Sequence, residues 1–82
     1  MNRIPNLVIE VVSSNRTYDR VAKRAIYGSA GVQEYWLIDI VNDHVEVCYA
    51  DALSSARIEL VQLQTTLLPG FVLDVQALFA NA

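Results

Sequence analysis

The sequence is short of most devices that small proteins use for cross-linking or chemistry. Its 82 residues include a single cysteine, Cys48, so no disulfide can form within the chain. That thiol lies in a valine-rich stretch and is read as a small buried hydrophobe of a reducing compartment. One histidine and one cysteine cannot make a four-ligand zinc site. The three glycines are scattered, which excludes a glycine-rich loop around a nucleotide phosphate. No apolar run approaches the roughly 20 residues of a membrane helix, and the amino terminus lacks the basic-then-apolar order of a signal peptide. The expected protein is cytoplasmic, with no membrane partner.

Apolar side chains are plentiful. The chain is 54% hydrophobic and 18% charged, too apolar for disorder and too short for two domains. A chain of this size hides only about 60–65% of its unfolded surface, so its stability is marginal without a partner or a metal. The formal net charge of −3 is unevenly spread. Arg3, Arg16, Arg20, Lys23 and Arg24 face only Glu10 and Asp19 in the first 25 residues, a local balance of +3. The remainder carries Arg57 against seven acids, a balance of −6. An anionic partner is expected to approach the amino-terminal third.

Residues 7–12, Leu-Val-Ile-Glu-Val-Val, are nearly continuous in apolar and β-branched character, the pattern of a strand covered on both faces inside a sheet. Asn15 or Thr17 can cap a following helix whose apolar stripe is Tyr18, Val21, Ala22, Ala25, Ile26 and Ala30, with Gly31 as its left-handed end. The opposite face gathers Arg16, Asp19, Arg20, Lys23, Arg24 and Tyr27. Residues 35–40 read as a second apolar strand, 41–44 as a hairpin turn, and 45–49 as the returning strand. A loop over 51–56 precedes an alternating strand over 57–64. Leu68-Pro69-Gly70 turns the chain, residues 71–73 are extended, and Asp74 caps a terminal helix over 75–80 whose Leu78 and Phe79 close the core. The expected class is α/β (α+β), a mixed β-sheet packed against a helix in the order β-α-β-β-β-(β)-α, without repeats or an interior domain boundary.

Glu10 does not fit an apolar strand. A lone buried carboxylate costs several kcal/mol unless a cation, a metal or a proton neutralises it, and sites that hold one are enriched in function. The alternative is an edge strand with Glu10 facing water. Lys23 by itself reads as an i,i+4 partner of Asp19, worth about 0.2–0.5 kcal/mol. A short connection between strand and helix would instead aim it at Glu10. A carboxylate and an ammonium at one point suit phosphodiester hydrolysis: carboxylates hold a hard divalent ion that lowers the pKa of a bound water, and the lysine offsets charge on the phosphoryl oxygens.

The stretch Pro5-Asn6-Leu7-Val8-Ile9-Glu10-Val11-Val12-Ser13, then Asp19-Arg20-Val21-Ala22-Lys23, Tyr27, and Gly31 to Asp39 resembles the Uma-two family of putative restriction endonucleases, within the PD-(D/E)XK nuclease superfamily. The resemblance continues through Val45-Glu46-Val47 and Leu68-Pro69-Gly70-Phe71 to Leu78-Phe79. It implies a restriction-endonuclease-like fold, with Glu10 and Lys23 catalytic and Glu10 and the Val11 carbonyl as metal ligands. The lysine would have moved from its usual place, here Val12, onto the helix. It implies Mg2+ or Mn2+ as cofactor if the chain is active and none otherwise, and DNA as partner. Arg16, Arg20 and Arg24 are the candidate phosphate contacts, Asp19 and Tyr27 auxiliaries.

Two departures qualify the expected activity. The Asp common after Pro in this motif is Asn6 here, a weaker ligand for a hard cation. Family members also carry an amino-terminal helix and a hairpin with the first metal-binding Asp, so residues 1–82 are expected to form a truncated domain with a bare apolar sheet edge. A homo-oligomer covering that edge is the expected assembly, with a second acid from another copy or from Asp19 or Asp39. The competing expectations are a catalytically inactive oligomeric remnant and a nucleic-acid-binding module.

Overall fold

The computed structural model describes residues 4–13 and 17–80, with side chains from residue 19 onward in the second segment. The elements are β1 (Leu7–Val12), α1 (Thr17–Ala30), β2 (Glu34–Asp39), β3 (His44–Tyr49), a 3-10 turn (Asp51–Leu53), β4 (Ser55–Glu59), β5 (Gln62–Gln64), β6 (Val72–Asp74) and α2 (Val75–Ala80). The architecture is mixed α+β, as expected. β1 to β4 form one sheet in chain order, and β5 and β6 form a small second one. β1 pairs parallel with β2 through the α1 crossover, and the remaining neighbours pair antiparallel. No helix among the described residues is long and apolar enough to cross a membrane.

The two-residue period of the strands divides the core between the faces of the large sheet. On one face Tyr35, Leu37 and Cys48 are buried with Leu53, and Val8, Val12 and Tyr27 pack around them beneath α1. On the other, Trp36, Val45 and Val47 are covered by Leu63 and Val75 from the β5–β6 hairpin and α2. Cys48 is buried as anticipated, and burial pushes its thiol up, so it stays neutral.

Several local readings hold. Gly31 takes φ +96 after α1, where Val32 N–H donates to the Tyr27 carbonyl and Gly31 N–H to that of Gly28, the paired bonds of a Schellman end. The 41–44 turn joins β2 to β3, with Asp43 at positive φ. The Asp74 carboxylate caps α2 by accepting from Ala77 N–H at 3.0 Å. Asn15 lies outside the described residues, and Thr17 opens α1.

Other readings change. The alternating run over 57–64 is two strands in two sheets, because the chain bends at Leu60-Val61 and carries Leu63 across the sheet to cap Trp36. Val75 and Gln76 N–H both donate to the Val61 carbonyl and fix that bend. The 51–56 loop contains a 3-10 turn, and β4 begins inside it at Ser55. Phe79 packs on the core, whereas Leu78 is exposed.

β1 is an edge strand among the described residues, with Ile9 and Val11 open to solvent, and not a strand covered on both faces. The layer formed by β5, β6 and α2 reaches Trp36 but stops short of them. The larger change is the rotation of α1. Val21, Ala25 and Ile26 of its apolar stripe face outward, with Val21 61% and Ile26 64% exposed, while Arg20, Lys23, Arg24 and Tyr27 turn toward the sheet. The cause lies in the facing sheet, which presents the carboxylates of Glu10 and Asp39 and so requires cations and donors opposite them. Gly28 permits the close approach that results: a Cβ there would collide with the Ala52 carbonyl oxygen.

Candidate active site

Glu10 lies centrally on β1, on the face turned toward α1. β1 being an edge strand does not put it in water, since its side chain is only 25% exposed. Lys23, two turns into α1, places Nζ 3.1 Å from Glu10 Oε2. Tyr27, one turn further on, donates its hydroxyl to Oε1 at 2.9 Å. Tyr35 lies on β2, opposite Val8 in the register, and its buried hydroxyl donates to Oε2 at 3.0 Å. The Tyr27 and Tyr35 rings meet edge to face at 5.0 Å, which fixes both hydroxyls.

The electrostatics follow from these contacts. Burial pushes the Glu10 carboxyl up, but the bonds from Tyr27, Lys23 and Tyr35 and the Lys23 charge outweigh it, leaving the pKa below its ordinary value. Glu10 is therefore an anion at neutral pH. The hydrogen bond to Glu10, with the charges of Glu10 and Asp19, holds Lys23 above its ordinary value, so it remains an ammonium. The bond to Glu10 and then burial raise Tyr27, whereas burial is the larger cause for Tyr35 and Glu10 the second. Both phenols stay protonated donors.

Glu10, Val11, Val12, Ser13, Asp19, Arg20, Lys23 and Tyr35 line an open cleft of about 380 Å³. Asp19 lies on its rim with Oδ2 3.8 Å from Lys23 Nζ, so the lysine sits between two acids. The carbonyls of Asn6 and Val12 accept bonds from the β2 side. By alternation along the strand, the Val11 carbonyl projects toward the edge of β1 that has no partner among the described residues. The Glu10 carboxylate, the Val11 carbonyl and Asp19 are thus hard oxygen donors around one cleft. They fit in kind a small divalent cation such as Mg2+ or Mn2+, which is commonly held by one or two carboxylates and completed by water and substrate oxygens. Among the described residues, no group of three or more His, Cys, Asp or Glu could hold a metal ion.

The candidate phosphate contacts diverge. Arg20 Nη2 lies 3.0 Å from Asp39 Oδ2 while lining the cleft. Arg24 donates Nε to the Leu53 carbonyl at 2.7 Å and tethers α1 to the 3-10 turn. It lines a neighbouring cavity of about 200 Å³ with Arg20, Leu37, Glu46 and Cys48. Arg16 lies outside the described residues. The residue that sequence reasoning missed is Tyr35, although a tyrosine inside an apolar strand is itself a sign, because its buried hydroxyl needs a partner. Asp39, considered only as a substitute acid, is 1% exposed and bonded within its own turn and to Arg20, away from Glu10.

The model of the Uma2 family, described as "Putative restriction endonuclease", matches residues 1–76. Among solved structures, the chain is similar to a protein of Anabaena variabilis ATCC 29413 described as "a putative nuclease belonging to DUF820", with a TM-score of 0.68 and 20% sequence identity. The match covers 92% of this chain and 44% of that one, and at this identity it shows a shared fold. No curated protein matches the chain.

Because the folded-state pKa of Glu10 lies below its ordinary value of 4.5, its bonds stabilise the fold fully above the unfolded-state pKa. That contribution is lost as pH falls through the folded-state value. In a carboxyl-carbon NMR titration, we expect a Glu10 midpoint below 4.5 that moves upward in both Tyr27→Phe and Tyr35→Phe. A wild-type midpoint above 4.5, or one unmoved by either change, contradicts the donor arrangement.

Proposed function

Because this chain belongs to the Uma2 family of putative restriction endonucleases, we propose that its Glu10–Lys23 cleft is the metal-dependent site of a DNA endonuclease of the PD-(D/E)XK type. One observation carries this reading. An ionised carboxylate and an ammonium lie 3.1 Å apart in an open cleft that Val11 also lines. Glu10 and the Val11 carbonyl would hold Mg2+ or Mn2+, with Asp19 as auxiliary. When bound, such an ion supplies a water acidified for attack on phosphorus.

The chain's own groups have separate tasks. Lys23 keeps its proton, so it acts by charge and offsets the negative charge growing on the phosphoryl oxygens. It is not a base. Tyr27 and Tyr35 hold Glu10 in place and keep it ionised; with Lys23 they take three of its roughly four acceptor sites and leave one, on Oε1, for a cation. Arg20 brings a second cation to the rim. Arg24 is committed to the 3-10 turn and is better suited to holding the helix than to meeting a phosphate.

The chain spans 44% of the Anabaena variabilis structure. The activity of a whole enzyme of that size is therefore a proposal for these residues. The unpaired outer edge of β1, with Ile9 and Val11 exposed, and the outward apolar face of α1 at Val21 and Ile26 favour an assembly that covers them. In the proposal this is a homo-oligomer, through which another copy can bring a further carboxylate to the Glu10 cleft.

We expect plasmid DNA cleavage to require Mg2+ or Mn2+, and Glu10→Ala and Lys23→Ala each to lower its rate by about 10²–10³-fold, the scale for loss of one charge-stabilising group. No cleavage with either metal, and no metal binding by calorimetry, assigns the chain instead to an inactive oligomeric or nucleic-acid-binding module. Static light scattering is expected to report a dimer or larger species. A stable monomer at micromolar concentration contradicts the assembly.

A further inference from the structure

Outside the Glu10 cluster, one acid is deeply buried among the described residues, and its surroundings are unusually complete. Asp39, at the end of β2, is 1% exposed. Its Oδ1 accepts the amides of Val41 and Asn42, each at 3.0 Å, and so closes the β2–β3 turn. Its Oδ2 accepts Asn42 Nδ2 at 2.9 Å and Arg20 Nη2 at 3.0 Å, and His44 Nε2 stands 3.6 Å from the same oxygen. Burial pushes this carboxyl up, yet the Asn42 side chain, the turn amides and the Arg20 charge outweigh it and leave it ionised.

The backbone amides of the turn do not by themselves require this charge. They need one neutral oxygen at Oδ1, which an asparagine side chain supplies as well, while Oδ2 is shared between the Asn42 side chain and Arg20. Burying an ionised carboxylate is costly, and what the charge adds is a grip on a guanidinium from another element. That guanidinium belongs to Arg20, one helical turn before Lys23, and it lines the cleft that holds Glu10. Arg20 is 24% exposed and lines the cleft while Asp39 anchors it. Arg24, by contrast, does not line that cleft and is bonded to the Leu53 carbonyl.

We propose that Asp39 is a positioning residue that holds Arg20 at the rim of the Glu10–Lys23 cleft, where Arg20 receives a phosphate of the nucleic-acid backbone. This rests on the nuclease reading and adds to it a fixed substrate-binding cation with its support. A planar guanidinium held by a carboxylate on one side loses little freedom when it meets phosphate oxygens on another. Glu10 and Asp19 balance Lys23 and Arg20 around the cleft, so the site carries no net positive charge of its own and binding is expected to strengthen with a divalent cation in the buffer.

The test is binding of a fluorescein-labelled DNA duplex, read by anisotropy in Ca2+, for the wild-type chain, Arg20→Gln, Arg20→Lys, Asp39→Asn and the double variant Arg20→Gln/Asp39→Asn. We expect Arg20→Gln and Asp39→Asn each to weaken binding about tenfold, the scale of one charge-assisted contact. Arg20→Lys should retain more affinity than Arg20→Gln. The double variant should bind no more weakly than Arg20→Gln, because Asp39 acts through Arg20. A folded Asp39→Asn that melts earlier but binds like the wild type makes Asp39 a turn residue only and overturns the proposal, as does additive loss in the double variant. Should Asp39→Asn fail to fold, the Arg20 Nε–Hε NMR resonance of the wild type decides: it moves on DNA addition if Arg20 meets the backbone and stays put if it does not. A wild-type chain that binds DNA while Arg20→Gln binds equally well removes this inference and leaves the nuclease reading standing, whereas a wild-type chain that binds no DNA removes both.

Discussion

The carboxylate of Glu10 is the constraint around which this fold is arranged. It sits on an otherwise apolar strand face, and three donors satisfy it: the ammonium of Lys23 and the hydroxyls of Tyr27 and Tyr35, at 2.9–3.1 Å. Two of the three come from α1. The helix therefore has to turn its polar face to the sheet, and Asp39 repeats the demand further along by engaging Arg20. An amphipathic helix would ordinarily bury its apolar stripe. Here the acids on the sheet decide the rotation, and Val21 and Ile26 are left outside.

This rotation marks the limit of what was legible in the sequence. The existence of α1, its end at Gly31, the strands β1 to β3 and the Asp74 cap all rest on local chemistry that acts within a few residues. The orientation of α1 does not. Periodicity identifies an apolar face, but which face turns inward depends on Glu10 and Asp39, which reach the helix only through tertiary contact. The bend at Leu60-Val61 was hidden for a related reason: alternation continues through it, and the bend exists because Leu63 caps Trp36 on the far side of the sheet.

The candidate site was more legible than the packing around it. A lone acid within a β-branched strand violates the local pattern, and such violations collect at functional positions. The family resemblance supplied Lys23 as its counterpart, and the contact is present. Tyr35 escaped notice because it reads as one more core aromatic, although its hydroxyl is what joins the core to the site. Arg20 and Arg24 read alike, as neighbours on one basic face. Their partners distinguish them: Arg20 lines the Glu10 cleft and pairs with Asp39, whereas Arg24 bonds the Leu53 carbonyl.

Edge position, cleft and charge thus belong to one arrangement. β1 places Glu10 beside an unpaired strand edge where the Val11 carbonyl is available, and α1 delivers the ammonium from above. Glu10 and the Val11 carbonyl would hold a divalent cation there, with Asp19 beside them. The most direct measurement is paramagnetic broadening of backbone and side-chain NMR signals by substoichiometric Mn2+. The account expects Glu10, Val11 and Asp19 to broaden first while Asp43, Asp51 and Asp74 stay sharp. Broadening at those distant acids with Glu10 untouched would contradict it.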